Sequence, residues 1–173
     1  MAIVRAALAI AAGLAALVGG TTTTAHAADK TYIQLQTADS SLCLGAAPND
    51  VTYLDLCHTD WIFPAVWEVV RTADSTSELR WESNGNCLEV ANGSTQAGAN
   101  VRLGACAGGK QTRWQMDLVD PVRRLYQLRP THTTGRCLDI PNSEVVQGNS
   151  VQQWTCNQTD AQLWRVKQIA WPA

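Results

Sequence analysis

The sequence lacks the residues and motifs that mark several large classes of protein. It has only 3 histidines, no run of like charges and a formal net charge of −2, which gives no reason to expect nucleic acid or an anionic membrane as a partner. No G-x-S-x-G, H-E-x-x-H or C-x-x-C motif occurs. After residue 27, no window of a dozen residues keeps the apolar spacing of an amphipathic helix. These absences argue against a helical fold and against the common hydrolase and zinc sites, so we expect no cofactor and no metal.

The longest apolar run lies at the N-terminus, where a cleavage pattern follows it. Residues 6–20 are small and apolar after the single charge of Arg5, and Ala25-His26-Ala27 has the A-x-A form of a signal-peptidase site. The run of about 15 residues is short for a membrane span. We therefore predict that residues 1–27 are a secretory signal peptide, cleaved near Ala27, and that 28–173 form one secreted domain without a membrane span. A retained anchor is the alternative.

The rest of the chain repeats one pattern three times. Cys87-Leu88-Glu89-Val90 and Cys137-Leu138-Asp139-Ile140 are each followed by a second cysteine 19 residues on and by a tryptophan 8 residues later. A degraded copy precedes them and begins at Cys43-Leu44-Gly45-Ala46. Internal periods of this length indicate a pseudo-threefold architecture. The repeats span about 31–72, 77–120 and 124–170.

All six cysteines lie after the predicted cleavage site, and an even number in an exported chain indicates disulfide bonds. The repeat selects one set of pairs, which is Cys43–Cys57, Cys87–Cys106 and Cys137–Cys156. In the chain-entropy model each bond stabilises the fold by about 3 kcal/mol.

Short alternating runs of polar and apolar residues open and close each repeat, and clusters rich in Gly, Asn, Ser and Thr separate them. Tyr32-Ile33-Gln34-Leu35 opens the first repeat, and Trp164-Arg165-Val166-Lys167-Gln168-Ile169 closes the third. Roughly four strands per repeat give about twelve strands in an all-β fold, which closes on itself and leaves no exposed edges. A β-trefoil fits this count better than a three-bladed propeller, which would be unusually small.

Three segments of the third repeat follow one another in a specific order. They are Gly135-Arg136-Cys137-Leu138-Asp139-Ile140, then Gln147-Gly148-Asn149-Ser150-Val151-Gln152-Gln153-Trp154-Thr155-Cys156-Asn157, then Gln162-Leu163-Trp164. This order resembles the repeat of the ricin B-type β-trefoil lectins, with its Q-x-W ending, and the match is weaker in the second repeat and poor in the first. The resemblance implies a six-stranded barrel capped by three hairpins, one shallow sugar pocket per repeat, and a central core that contains Trp67, Trp114 and Trp164.

The resemblance also assigns roles in the third repeat. Asp139 stands where the family has its sugar-binding aspartate, and Trp154 stands at the position that stacks on the sugar. Asn142, Gln152 and Asn157 are further polar candidates, and Gln162 would brace the loop that carries the aspartate. A pocket for an uncharged sugar needs an aromatic face and paired hydrogen-bonding groups, of which a carboxylate is the strongest acceptor. The structural alternatives are a turn-capping carboxylate for Asp139 and a half-buried packing residue for Trp154.

The other two repeats lack this chemistry. Glu89 and Gly104 replace the aspartate and the tryptophan in the second repeat, and Gly45 and Asp55 replace them in the first. One departure affects the third repeat as well, because Ala161 stands where the family often has an asparagine before the glutamine. We expect sugar binding in the third pocket only.

The sequence thus predicts a secreted, monomeric carbohydrate-binding module for galactose, xylose or arabinose units, without catalytic activity. Two rival functions remain. A protein-binding or inhibitory trefoil would use the diverged first repeat, where Tyr53, His58 and the run Trp61-Ile62-Phe63 form a distinct patch. A glycoside hydrolase would need two opposed carboxylates, and no local motif marks such a pair.

Overall fold

The computed structural model describes residues 30–57 and 65–171. The predicted signal peptide, His58 and the run Trp61-Ile62-Phe63 lie outside these residues. No helix in the described part of the chain is long and apolar enough to cross a membrane.

Each repeat folds into four strands, so the prediction of about twelve strands is confirmed. In chain order they are β1 (Thr31–Thr37), β2 (Leu42–Ala46), β3 (Thr52–Leu56), β4 (Trp67–Arg71), β5 (Ser77–Trp81), β6 (Cys87–Val90), β7 (Ala99–Gly104), β8 (Arg113–Asp120), β9 (Leu125–Pro130), β10 (Arg136–Asp139), β11 (Gln152–Thr155) and β12 (Trp164–Ile169). Short 3-10 turns at Ala91–Gly93, Lys110–Thr112, Pro141–Ser143 and Asp160–Gln162 interrupt the connections.

The outer strands of the three repeats close into a barrel. Strands β1, β4, β5, β8, β9 and β12 pair antiparallel in that cyclic order, and β12 pairs back with β1. The inner strands of each repeat form the hairpins β2–β3, β6–β7 and β10–β11. Pairing of β7 with β11 and two isolated bridges join the three hairpins at one end of the barrel. The fold is therefore an all-β trefoil, as the sequence predicts.

Equivalent tryptophans and leucines of the three repeats form the centre of the core. Each of the three equivalent tryptophans, Trp67, Trp114 and Trp164, has no exposed surface. Its indole N–H donates to the carbonyl oxygen of a leucine in its own repeat, at 2.8, 2.8 and 3.4 Å for Leu44, Leu88 and Leu138. A buried indole needs such an acceptor, and the three equivalent bonds fix each hairpin to the barrel.

Each hairpin also carries a disulfide bond across its two strands. The three pairs are those that the repeat selects, Cys43–Cys57, Cys87–Cys106 and Cys137–Cys156. The register within each hairpin is the same, so the repeats can be compared residue by residue. Asp139 faces Gln152 in the third repeat, Glu89 faces Arg102 in the second, and Gly45 faces Tyr53 in the first.

Candidate functional site

An open depression of about 410 Å³ lies on the β10–β11 hairpin of the third repeat. Five of the six site residues predicted from the sequence line this depression, namely Asp139, Asn142, Gln152, Trp154 and Asn157. The sixth, Gln162, lies beneath them and has no exposed surface. The hairpin register brings these side chains together, because Cys137 faces Trp154 and Asp139 faces Gln152 on the same side of the two strands.

Asp139 is only 4% exposed, and both of its carboxylate oxygens accept hydrogen bonds. Oδ2 accepts from Nε2 of Gln152 at 2.7 Å, and Oδ1 accepts from Nε2 of Gln162 at 2.9 Å. Burial raises the pKa of Asp139 above its ordinary value of 3.8, and the two amide hydrogen bonds oppose that shift. Each carboxylate oxygen has two lone pairs, so Oδ2 can accept one further hydrogen bond from a ligand.

Gln162 joins three parts of the pocket. In addition to Asp139, its Nε2 donates to the carbonyl oxygen of Thr155 at 2.9 Å. Its Oε1 accepts the backbone N–H of Asn157 at 2.8 Å. One buried amide thus holds the aspartate and the segment after Trp154 in fixed positions.

Ala161, the departure from the family pattern, lies in the core. It is 4% exposed and packs in the main hydrophobic cluster, while its carbonyl oxygen accepts the backbone N–H of Ile140 at 3.0 Å. The alanine side chain does not line the depression. Its contribution is to pack the loop that carries Asp139 against the barrel.

Trp154 is 42% exposed, and it is the one aromatic residue among the exposed large hydrophobic side chains of the described chain. One part of the ring packs against the second repeat, because a Cβ on Gly98 would lie 3.5 Å from Cζ3 of Trp154. Gly98 has a φ of +83°, a conformation that side chains disfavour. The ring is therefore supported by backbone while it lines the depression.

Two asparagines offer amide groups to the depression. Oδ1 of Asn157 accepts hydrogen bonds from the backbone N–H of Thr159 at 3.1 Å and from its hydroxyl at 2.8 Å. Nδ2 of Asn157 donates to no group in residues 30–57 or 65–171, and the same is true of the Asn142 amide. Asn142 sits in a left-handed conformation with φ of 56° within the turn Pro141–Ser143. Both amides are thus available to a ligand.

The equivalent place in the second repeat is occupied by an ion pair. Nε of Arg102 lies 3.1 Å from Oε1 of Glu89. A Cβ on Gly104, the tryptophan position, would overlap the carboxyl group of Glu89. Ala107 and Thr112 stand where the third repeat has its asparagine and glutamine. The second repeat therefore has neither an aromatic face nor an open acceptor.

The first repeat uses its carboxylate for contact between repeats. Oδ1 of Asp55 accepts hydrogen bonds from the backbone N–H of Leu56 at 2.8 Å and from Nε2 of Gln147 at 2.7 Å. Gly45, at the aspartate position, has no side chain to offer. Only the third repeat, within the described part of the chain, combines an exposed indole, a carboxylate and unpaired amides.

Gly98 and Thr155 contribute to the site but were not predicted from the sequence. Thr155 acts through its backbone carbonyl, which has no sequence signal. Gly98 lies in the preceding repeat, so its contact with Trp154 depends on how the hairpins pack. The sequence does contain a signal for Gly98, because the pattern Gly-x-x-Val begins at Gly98 in the second repeat and at the equivalent Gly148 in the third.

The described residues contain one group of side chains with metal-ligating atoms in mutual reach, and it consists of Glu78, Cys87 and Cys106. The two sulfurs of this group are joined in a disulfide bond, so they offer no thiolate.

Comparisons with known proteins identify the family and the fold. The family model for the ricin-type beta-trefoil lectin domain-like family matches residues 22–103, 61–134 and 112–171. No curated protein matches the sequence.

Solved structures share the fold. ThreeFoil, a designed 3-fold symmetric protein, is 26% identical with a TM-score of 0.68, and the match covers 78% of this chain and 96% of that one. A ricin B-like lectin from Macrolepiota procera, solved in complex with lactose, is 13% identical with a TM-score of 0.69 over 83% of this chain and 99% of that one.

An exo-β-1,3-galactanase from Clostridium thermocellum also contains this fold. It is 17% identical with a TM-score of 0.74, and the match covers 83% of this chain but only 31% of the galactanase. The repeats, the closed barrel and the three overlapping matches together show that this chain belongs to the ricin-type β-trefoil lectin domain-like family.

Proposed function

We propose that the protein is a secreted carbohydrate-binding, lectin-like module that holds one galactose-, xylose- or arabinose-type unit in the pocket of its third repeat. The observation that carries this proposal is the convergence of Trp154, Asp139 and the unpaired amides of Asn142 and Asn157 on one depression. Family membership supports it, and so does the lactose complex of the Macrolepiota procera lectin, which has the same fold.

The pocket recognises a sugar through two complementary surfaces. The indole of Trp154 covers the apolar C–H face of the ring, which removes apolar surface from water on both sides. A sugar hydroxyl donates to Oδ2 of Asp139 in a charge-assisted hydrogen bond. The amide nitrogens of Asn157 and Asn142 donate to neighbouring hydroxyl oxygens.

Gln152 fixes the orientation of the acceptor. Its amide nitrogen already donates to Oδ2 of Asp139, so that oxygen points into the depression with one lone pair left. The depression is open on one side, and a single shallow site of this kind gives weak binding. A millimolar dissociation constant corresponds to about −4 kcal/mol.

The test is a glycan array followed by titration with the best sugar. We expect Asp139→Ala and Trp154→Ala each to reduce binding below detection without unfolding the protein. The matched control is Glu89→Ala, which removes the equivalent acid of the second repeat and should leave the affinity unchanged. If both third-repeat variants bind sugar like the wild type, the pocket assignment is wrong.

We further propose that the protein binds sugar as a monomer and has no catalytic activity. A panel of chromogenic glycosides, assayed with the secreted protein, should show no turnover. Size-exclusion chromatography should give one chain per particle, and N-terminal sequencing should begin near Ala28. Turnover that is lost in Asp139→Ala would instead support the hydrolase alternative.

A further inference from the structure

A second cavity lies at the end of the barrel opposite the three hairpins. It has a volume of about 380 Å³, and we call it the barrel-end cavity. The hairpin β2–β3 attaches to β1 at Gln36, whereas the cavity is lined by Thr31 and Ile33 at the other end of that strand. It is therefore separate from the sugar pocket and is built from all three repeats.

The cavity exists because one of three equivalent positions carries a small residue. Each repeat places one residue beside its core tryptophan, and the three residues are Ile33, Ser77 and Tyr126. The large side chains of Ile33 and Tyr126 occupy space at this end of the barrel. The side chain of Ser77 is smaller, so the space above Trp114 stays open.

Part of the cavity wall is apolar. Val69, Met116 and Val166 each lie two residues after a core tryptophan, and they are partly buried hydrophobic residues packed against the core. Tyr126 belongs to the same group and lines the cavity with them. A concave surface that combines apolar side chains with a few polar groups is the usual form of a small-molecule site.

Five polar side chains also line the cavity, namely Thr31, Arg71, Ser75, Ser77 and Gln168, and two of them, Ser77 and Arg71, form a cross-strand pair. Ser77 is 3% exposed, and its hydroxyl makes no hydrogen bond within residues 30–57 and 65–171. Arg71 pairs with Ser77 across β4 and β5 and lines the cavity, and its guanidinium makes no ion pair in the same residues. The positions equivalent to Arg71 carry Leu118 and Gln168, so the positive charge is specific to the first repeat.

A carboxylate in the adjoining turn does not neutralise Arg71. Asp74 accepts hydrogen bonds from the hydroxyls of Thr72 and Thr76 at 2.6 and 2.7 Å, and it pairs with Arg113 at 3.2 Å. The exposed guanidinium of Arg71 thus has no ion-pair partner within the described residues and lies beside the buried Ser77.

We propose that the barrel-end cavity binds a small amphiphilic carboxylate. The apolar ring or chain of the ligand packs on Val69, Met116 and Tyr126, and its carboxylate pairs with Arg71 and accepts a hydrogen bond from Ser77. An engineered apolar cavity of about 150 Å³ binds benzene, so a volume of about 380 Å³ has room for an aromatic ring with a short acidic chain.

The test uses 3-phenylpropionate and its uncharged counterpart 3-phenylpropan-1-ol as probes, with titration calorimetry and amide chemical shifts as readouts. We expect one molecule of the acid to bind per chain, at least tenfold more tightly than the alcohol, with shifts at Val69 and Ser77. Arg71→Gln should weaken acid binding about tenfold and leave alcohol binding unchanged. Ser77→Ile, which copies the isoleucine of the first repeat, should abolish binding of both probes.

Two control variants distinguish binding in the barrel-end cavity from binding elsewhere on the protein. Arg124→Gln removes an exposed charge outside the cavity and should bind both probes like the wild type. Asp139→Ala should also bind them normally, which keeps this result independent of the sugar proposal. The proposal is overturned if the wild type binds neither probe at millimolar concentration, if both probes bind equally tightly, or if folded Ser77→Ile binds like the wild type.

Discussion

At the scale of single residues, the buried amide of Gln162 fixes the positions of the groups that form the proposed sugar pocket. It is fully buried, and its amide satisfies three different partners, Asp139, Thr155 and the backbone of Asn157. A buried polar group that loses its partner costs the full desolvation free energy of that group. Removal of this amide should therefore affect stability and binding together.

We predict that Gln162→Ala lowers the free energy of unfolding by about 1–3 kcal/mol, because it removes the partner of the buried Oδ1 of Asp139 and of the partly buried backbone N–H of Asn157. The sugar affinity should fall at least tenfold, since the acceptor is no longer fixed. Denaturant unfolding and sugar titration measure the two effects. Thr112→Ala is the matched control at the equivalent position of the second repeat, and it should leave affinity intact. Wild-type affinity in Gln162→Ala would show that the pocket does not need this brace.

The raised pKa of Asp139 predicts opposite effects of pH on binding and on stability. A protonated carboxyl group is a poorer acceptor, so sugar affinity should fall as the pH drops through the raised pKa of the folded protein. The native state holds the proton of Asp139 more tightly than the unfolded chain does. Between the ordinary value of 3.8 and the raised value, this residue's contribution to the free energy of unfolding therefore decreases as the pH rises.

The variant Asp139→Asn isolates the effects of Asp139 titration on sugar affinity and on stability, because an asparagine does not titrate. Sugar affinity and unfolding free energy should be measured for wild type and variant from pH 3 to pH 7. The wild type should gain affinity with rising pH while the variant stays flat, and the stability difference between them should shift in favour of the variant. A pH-independent wild-type affinity would contradict an ionised acceptor.

At the scale of the hairpin, the disulfide bond of β10–β11 holds the two ends of the site together. Cys156 lies between Trp154 and Asn157, and Cys137 lies two residues before Asp139. The bond in β2–β3 closes a similar loop, with a separation of 14 residues rather than 19, but its hairpin carries none of the predicted sugar-binding side chains. The two hairpins thus provide a matched pair of experiments.

We predict that replacing Cys137 and Cys156 by serine lowers the free energy of unfolding by about 2–4 kcal/mol and weakens sugar binding severalfold. Replacing Cys43 and Cys57 should cost similar stability, because the loop-length term changes only slowly, and it should leave the affinity unchanged. Thermal unfolding and titration of both double variants check this. Equal loss of affinity in both variants would mean that the bond acts on the whole fold and not on the pocket.

The hairpin also shows how much of the site the sequence predicts. The resemblance to the lectin repeat assigned Asp139 and Trp154 to one pocket, and the register of the β10–β11 hairpin puts both side chains on the same face. The support of Trp154 by Gly98 crosses from one repeat to the next, and such contacts depend on packing. The role of Ala161 required the structure for the same reason, since sequence shows a missing amide but not a buried position.

At the scale of the whole molecule, the threefold fold is a scaffold on which each repeat has changed separately. The second repeat carries the Glu89–Arg102 ion pair where the third repeat has Asp139 and Gln152, and the first ties Asp55 to Gln147 of the third. The sequence predicted the barrel and the disulfides because these repeat. The barrel-end cavity was not predicted, since it arises from how Ser77, Ile33 and Tyr126 meet around the axis.

Because the three repeats have changed separately on one scaffold, we predict that a second sugar site can be built in the second repeat. The variant carries the third-repeat residues at five equivalent positions: Glu89→Asp, Arg102→Gln, Gly104→Trp, Ala107→Asn and Thr112→Gln. The shorter aspartate clears the space that the Glu89 carboxyl group occupies over Gly104, so the indole can be accommodated. Gly104→Trp alone should fail, because the indole would meet that carboxyl group.

Titration with the best monosaccharide should give two sites per chain in the five-residue variant and one in the wild type. On a polysaccharide surface the two linked sites should raise the apparent affinity about tenfold or more, because the second contact is then intramolecular. Adding Asp139→Ala to the variant should restore a stoichiometry of one. A folded variant that still binds one sugar would show that the pocket needs support from its neighbouring repeat, as the packing of Gly98 on Trp154 provides in the native site, and that the five residues alone do not define it.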